Sequence, residues 1–313
     1  MSERKLLIIK LIASHILPLP VLIAAALMMK SERWIMVSIS QTVLFILYLT
    51  GYCEFFTLGF KKTFLAFMQS VILIVVSVSW SAIRIGKSSP VWLALLMLVQ
   101  IILFYEFIKI ILVIMEGDKK AMKIEFPFQK GKFLITDGGN SKVSRLMNYH
   151  FHSAVHKKKK TNRSMLYATD IVRLDGRKTG FLPLRNEDYP VWHEEVCSPM
   201  EGTVIRVIND IEDNRPFSGN YPYNTGNTVV IRNGDYFLLM GHLKKGSIRV
   251  QQGERVDKMK VIGEAGNSGM SERPHLHMQL MKCETEDYWT GLGISMVFKG
   301  WPLYKNRVIR MNC

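Results

Sequence analysis

The sequence predicts a membrane α-helical N-terminal region, residues 1–116, joined to a mainly-β C-terminal domain, residues 117–313. Apolar runs of about twenty residues fill the first third of the chain. Short β-branched and aromatic runs, parted by Gly and Asn turns, fill the rest. Seven of the eight histidines lie after residue 149.

The apolar runs are Leu11–Met29, Trp34–Tyr52, Thr63–Ile83 and Pro90–Met115. Each is long enough to cross the hydrocarbon layer as a helix, the form that satisfies its backbone groups internally. Trp34, Trp80 and Trp92 sit near run ends, where indole rings favour the headgroup zone. The first run carries Pro18 and Pro20 and lacks a small-residue cleavage site, so it reads as a retained helix. Glu106 and Lys109 are placed to pair on one helix face. Four spans put Arg4, Lys5, Lys10, Lys61 and Lys62 on the side of the C-terminal domain, and Lys30, Arg33, Arg84 and Lys87 on the other. That small excess leans toward a cytoplasmic C-terminus, but large translocated domains weaken the rule.

In the second part, Thr203–Ile208, Thr228–Arg232 and Tyr236–Met240 read as strands, with a hairpin turn at Asn233-Gly234. Ser247–Val250, Lys260–Gly263 and His275–Met281 read as further strands, forming a sheet folded around a groove.

The net charge is +15. Only 10 basic and 5 acidic residues lie in the first 116, so most of the excess belongs to the β domain. A surplus of this sign favours an anionic lipid surface or polymer. No helix-turn-helix, finger or RNA-binding motif appears, and the Lys157–Lys160 run has no interleaved aromatics, so nucleic acid is set aside. That run reads as a solvated loop. Four scattered cysteines with no CxxC pair exclude a disulfide framework and a cysteine-rich zinc knuckle.

The histidines carry the chemistry. His275 and His277 lie on one side of an expected strand, roughly 7 Å apart, with Leu276 turned away. Both can bind an ion, or one can bind while the other meets a bound water; spacing leaves the two open. His242 ends another expected strand. His193 reads as a surface or packing residue, and His15 as a local hydrogen-bonding residue in the first apolar run.

Around these histidines stand Pro199-Met-Glu-Gly-Thr-Val204, Gly226-Asn-Thr-Val-Val-Ile231, Met240-Gly-His-Leu243, Gly253-Glu-Arg-Val256, Gly263–Ser271 and Pro274-His-Leu-His-Met-Gln279. In this order they resemble the LytM/lysostaphin-type peptidases of family M23. Upstream, Asn148-Tyr149-His150 and Tyr167-Ala-Thr-Asp-Ile171 resemble a variant of the family's first motif. The resemblance covers residues 122–281 and none of the apolar third.

It implies an M23-like β-sheet groove fold with one Zn²⁺ per domain, held by His150, Asp170 and His277. This ligand set leaves a fourth position open for water. It also implies that His242 and His275 are catalytic histidines that bind no metal, His275 taking the water's proton and His242 stabilising the oxyanion. The compact family motif places His four residues before Asp, whereas 20 separate His150 from Asp170. His152 and His156 are therefore rival ligands, His152 because it would share a strand face with His150. The expected activity is hydrolysis of peptide bonds in bacterial peptidoglycan, from a multi-pass position in the cell membrane with the peptidase domain extracytoplasmic. The bilayer, the wall peptide and anionic wall polymers are the expected partners. The alternative is a catalytically inactive relative that binds the wall or activates other hydrolases.

Overall fold

The computed structural model describes residues 105, 108–109, 111–116, 121–144, 147–152, 162–176, 183–218 and 224–312. The four apolar runs lie outside the described residues except for the end of the fourth, where residues 111–115 are helical. The pair Glu106 and Lys109, the Lys157–Lys160 run, His15 and His156 are likewise outside them in whole or in part. Among the described residues no helix is long and apolar enough to cross a membrane.

Compactness places Leu112–Cys313 in one unit, and it is mainly β. Its strands are β1 Met122–Lys123, β2 Gly131–Asp137, β3 Thr169–Arg173, β4 Glu195–Cys197, β5 Gly202–Ile208, β6 Asn227–Asn233 and β7 Tyr236–Leu243. Then follow β8 Arg255–Val256, β9 Val261–Glu264, β10 Leu276–Lys282, β11 Leu292–Gly293, β12 Met296–Phe298, β13 Trp301–Pro302 and β14 Val308–Met311. The principal sheet runs β14-β2-β3-β10-β7-β6-β5-β8, with β11 paired to β10. Two smaller sheets, β4-β9 and β1-β12-β13, complete the strands.

Strand alternation sorts the side chains into two layers. Leu276, Met278 and Leu280 of β10, with Leu238 and Met240 of β7, join the larger core. Phe126, Phe128 and Phe133 fill its centre, Phe128 and Phe133 stacked at 4.5 Å. The residues between them point the other way. Phe237, Leu239 and Met281 form a smaller apolar cluster with Val230, Cys283 and Tyr288 on the opposite face. His277 and Gln279 lie along that second face of β10, beyond Met281.

The expected strands β5, β6, β9 and β10 are present within one residue at each end, and β7 runs three residues past the expected Met240, to Leu243. The hairpin turn is Gly234-Asp235, because Asn233 still pairs with Tyr236. Gly234 takes the positive φ of 58° that the turn needs. Ser247–Val250 is not a strand. Its backbone is held instead by the Asn209 side chain, which accepts from Ile248 N at 3.2 Å, and by single bonds to the β9 region. Past the recognised motifs the chain adds β14, which pairs with β2 and widens the sheet.

Candidate metal centre

Three neighbouring strands set the site. In the antiparallel ladder His277 of β10 lies opposite Asp170 of β3 on one side and Gly241 of β7 on the other. Directly opposed residues project from the same face, so Asp170 and His277 are brought side by side. Gly241 is glycine for space, since a Cβ there would come 2.9 Å from Thr225 O. The next residue, His242, has a φ of 59°, a region L-residues other than Asn, Asp and His seldom occupy. That twist lets His242 donate its N–H to Thr225 O at 2.8 Å and accept from Gly266 N at 3.0 Å.

His275 differs from expectation. β10 begins at Leu276, so His275 stands just before the strand. Its preceding residue, Pro274, has no N–H to give a ladder. The ring still reaches the site, with Nε2 3.7 Å from Asp170 Oδ1. His150 also departs from the strand reading, lying in a single 3₁₀ turn, His150–His152. A shared strand face for His150 and His152 therefore does not exist.

His150, Asp170 and His277 offer one ligand atom each within 4.8 Å of one another. His277 Nδ1 is 2.9 Å from Asp170 Oδ1, and His150 Nε2 is 3.3 Å from Asp170 Oδ2. The outer ring nitrogens meet amide oxygens: His277 Nε2 with Gln279 Oε1 at 3.1 Å, His150 Nδ1 with Asn148 Oδ1 at 2.8 Å. Each of these two imidazoles thus faces an oxygen at both nitrogens. A neutral imidazole has one N–H. A cation between their inner nitrogens and the carboxylate satisfies both rings without a second proton on either. Two imidazole nitrogens and a carboxylate suit zinc, and the outer bonds to Gln279 and Asn148 are what holds a ligating imidazole in its tautomer.

His242 and His275 follow the same rule. His242 Nδ1 donates to Ser268 O at 2.8 Å, and His275 Nδ1 to Arg273 O at 2.9 Å, leaving each Nε2 as a lone pair. The His242 ring lies 4.8 Å from that of His275 and 5.6 Å from that of His277. Ser271 Oγ lies 3.2 Å from His275 Nδ1 and donates to Asn267 Oδ1 at 2.7 Å, so a buried amide stands behind this ring.

Charge states follow from burial and neighbours. Burial pushes the His242 pKa well below the usual imidazole value, and repulsion from His275 and His277 adds to this. His275 is lowered by burial too, against the pull of Asp170. Burial would also lower His150, but the charge and hydrogen bond of Asp170 outweigh it and raise its pKa. Burial works to raise Asp170, yet the facing His150 and His275 hold it well below the carboxylate range.

All five expected site residues therefore meet in one place. Of the rivals, His152 is the last residue of the turn and His156 lies outside the described residues. His193 is away from the site, its Nδ1 2.8 Å from Glu264 Oε2 on the surface. Sequence reasoning quoted Asn148 and Gln279 within motifs without giving them a role. The signal was their position two residues from His150 and His277, with Gln279 also on the same side of strand β10 as His277.

The stretch that supplies His242, His275, His277 and Gln279 matches the model of Peptidase family M23 over residues 189–288. That stretch is similar to the M23 peptidases. His150 and Asp170 lie before it. The chain is 43% identical over 61 residues to an endolysin of Staphylococcus phage 2638A, covering 18% of this chain and 13% of that protein. It is 39% identical over 62 residues to the peptidoglycan DD-endopeptidase ShyA of Vibrio cholerae, covering 20% of this chain and 14% of that protein. The chain thus spans a small part of the length of each relative. Among solved structures, a zinc-containing peptidase from Vibrio cholerae is 21% identical with a TM-score of 0.33, over 55% of this chain and 39% of that one. The catalytic domain of lysostaphin from Staphylococcus simulans is 21% identical with a TM-score of 0.26, over 38% of this chain and 86% of that one.

Proposed function

We propose that the M23-bearing domain is a zinc metalloendopeptidase that hydrolyses peptide bonds of bacterial peptidoglycan. In this reading four N-terminal helices hold it at the cell membrane, with the domain extracytoplasmic. The carrying observation is the convergence of His150, Asp170 and His277 within 4.8 Å, each imidazole backed by an amide oxygen. The matched relatives, one of them a peptidoglycan endopeptidase, support the substrate class. The basic surplus after residue 116 suits an envelope rich in anionic polymers.

His150 Nε2, His277 Nδ1 and one Asp170 oxygen would hold the zinc. In such a site zinc supplies Lewis-acid polarisation of a carbonyl and acidifies water. His275 is the better general base of the remaining pair. Its Nε2 lone pair is near Asp170, which stabilises the proton once taken, and returns it to the leaving amine. His242 can steady an oxyanion only with a proton on Nε2, because its Nδ1–H is committed to Ser268 O. Burial opposes that second proton, and charge building on the substrate favours it.

The test is metal content and muropeptide release for the wild type, His277→Ala and His150→Ala. The wild type is expected to bind one zinc and cut purified peptidoglycan, and both variants to lose metal and activity together. A metal-free wild type that leaves peptidoglycan intact while sedimenting with it would refute the peptidase reading. Loss of zinc in His277→Ala but not in His150→Ala would move the third ligand to His152 or His156.

A further inference from the structure

The end of the fourth apolar run and the residue that follows it reach the candidate metal centre through two contacts. Val113 is buried, and its Cγ1 stands where a Cβ on Gly139 would fall. Gly139, with a φ of 87°, is shaped to receive it. One turn on, Glu116 Oε1 accepts from Asn140 Nδ2 at 2.8 Å, and the Tyr167 hydroxyl lies 3.4 Å from the same oxygen. Asn140 Nδ2 is also 3.0 Å from Tyr167 Oη. Val113 and Glu116 thus grip adjacent residues of one loop.

From that loop the path to His150 is short. Gly139 O accepts from Asn148 Nδ2 at 2.7 Å, and Ala168 O accepts from the same nitrogen at 2.8 Å. Both amide hydrogens being used, Asn148 cannot turn over without losing both bonds. Its oxygen is therefore aimed at His150, accepting the backbone N–H at 3.1 Å and meeting Nδ1 at 2.8 Å. This fixes the His150 proton on Nδ1 and leaves Nε2 toward Asp170.

We propose that Val113 and Glu116 are positioning residues of the metal centre, clamping the Gly139-Asn140 loop and, through Asn148, setting the tautomer and aim of His150. The proposal rests on His150 being a metal ligand, as argued above. It makes the last residues of the fourth apolar run, with Glu116 just beyond them, a working part of the site. A linker of the same length without these two side chains would not replace it.

The experiment uses the full chain in detergent and compares the wild type with Glu116→Ala, Glu116→Gln and Asn148→Ala. One measurement is the zinc dissociation constant by chelator competition. The other is the ¹⁵N imidazole shifts of metal-free, histidine-labelled protein, taken at a pH high enough for His150 to have lost its second proton, where they report the tautomer directly. Glu116→Ala is expected to weaken zinc about tenfold and Asn148→Ala about 10–100-fold, the range for a lost outer partner. In both, the His150 signals should move toward mixed tautomers. Glu116→Gln keeps an acceptor oxygen and should stay within about twofold of wild type. Unchanged affinity and unmoved His150 signals in Glu116→Ala would overturn the proposal, as would equal losses in Glu116→Ala and Glu116→Gln. If Glu116→Ala does not fold, Val113→Ala releases the other contact and is judged by the same two readouts. A wild type that binds no zinc would sink the metalloenzyme reading instead. The imidazole shifts would then decide the clamp alone: movement of the His150 signals in Glu116→Ala supports it, and no movement ends it.

Discussion

Changing Gln279 to alanine disturbs the candidate centre without removing a ligand. Gln279 is fully buried, and its Oε1 is the partner of His277 Nε2 at 3.1 Å. In the variant the Nε2–H is left in an apolar layer beside Met281 and Leu239 with no acceptor. An unsatisfied buried donor destabilises by about 1–3 kcal/mol. For a unit of this size, each kcal/mol moves Tm by roughly 2–4 °C, so the metal-free protein should melt roughly 2–12 °C lower. Metal binding suffers as well, because Nδ1 can hold the ion only while the proton stays on the now unpartnered Nε2. Lost outer-shell partners weaken metal sites by about 10–100-fold, equivalent to about 1.4–2.7 kcal/mol. Thermal melts in chelator measure the first effect, and zinc competition measures the second. Gln279→Glu, which keeps an acceptor, should hold zinc far better than the alanine variant. A lower Tm with an unchanged zinc constant in Gln279→Ala would refute the assignment of Nδ1 as the ligand atom of His277.

Three further outcomes are expected. The metal-free domain should be most stable near pH 6.5, the ordinary imidazole value. Below it the lowered His242 and His275 stay neutral while their unfolded counterparts take protons, so stability falls with pH; above it the raised His150 loses the proton that favours the fold. Denaturant titrations across pH 5–8 that rise or fall in one direction only would contradict this. His242→Gly should be more stable than His242→Ala by about 1 kcal/mol, since the left-handed backbone burdens any Cβ; urea midpoints in the reverse order would argue against the twist. Phe133→Ala, which empties a fully buried position stacked on Phe128, should lose about 3–5 kcal/mol in the same assay.

The central strands were legible because one face of each is packed on the larger core. β6 and β7 carry near-continuous apolar or β-branched runs on either side of a turn at Gly234, while β10 alternates Leu276, Met278 and Leu280 with His277 and Gln279. The edges were not legible. β8, β11 and β13 have two residues each, too few to show any period. Ser247–Val250 looked like a strand by composition but is held by side-chain bonds instead of a ladder. At the site, His277 and Asp170 were readable from motifs, and the ladder places them opposite each other. The offset of 20 positions from His150 to Asp170 hid the 3₁₀ turn that begins at His150. The roles of Asn148 and Gln279 were hidden for another reason. An amide side chain has many possible partners, and only the folded backbone decides which one it meets. The clamp by Val113 and Glu116 was hidden for a related reason, since Val113 reads as part of the fourth apolar run.

Asp170 and His277 are separated by 107 positions in the chain and become neighbours only when β10 slots between β3 and β7. Closing so long a loop is entropically unfavourable and precedes any reward from the contact. During synthesis the upstream histidine and aspartate emerge long before the strand that completes them. A nascent or partly unfolded copy therefore has scattered imidazoles and no assembled centre. For a polypeptide read as a cutter of peptide bonds, this order of assembly withholds the blade until the handle is finished.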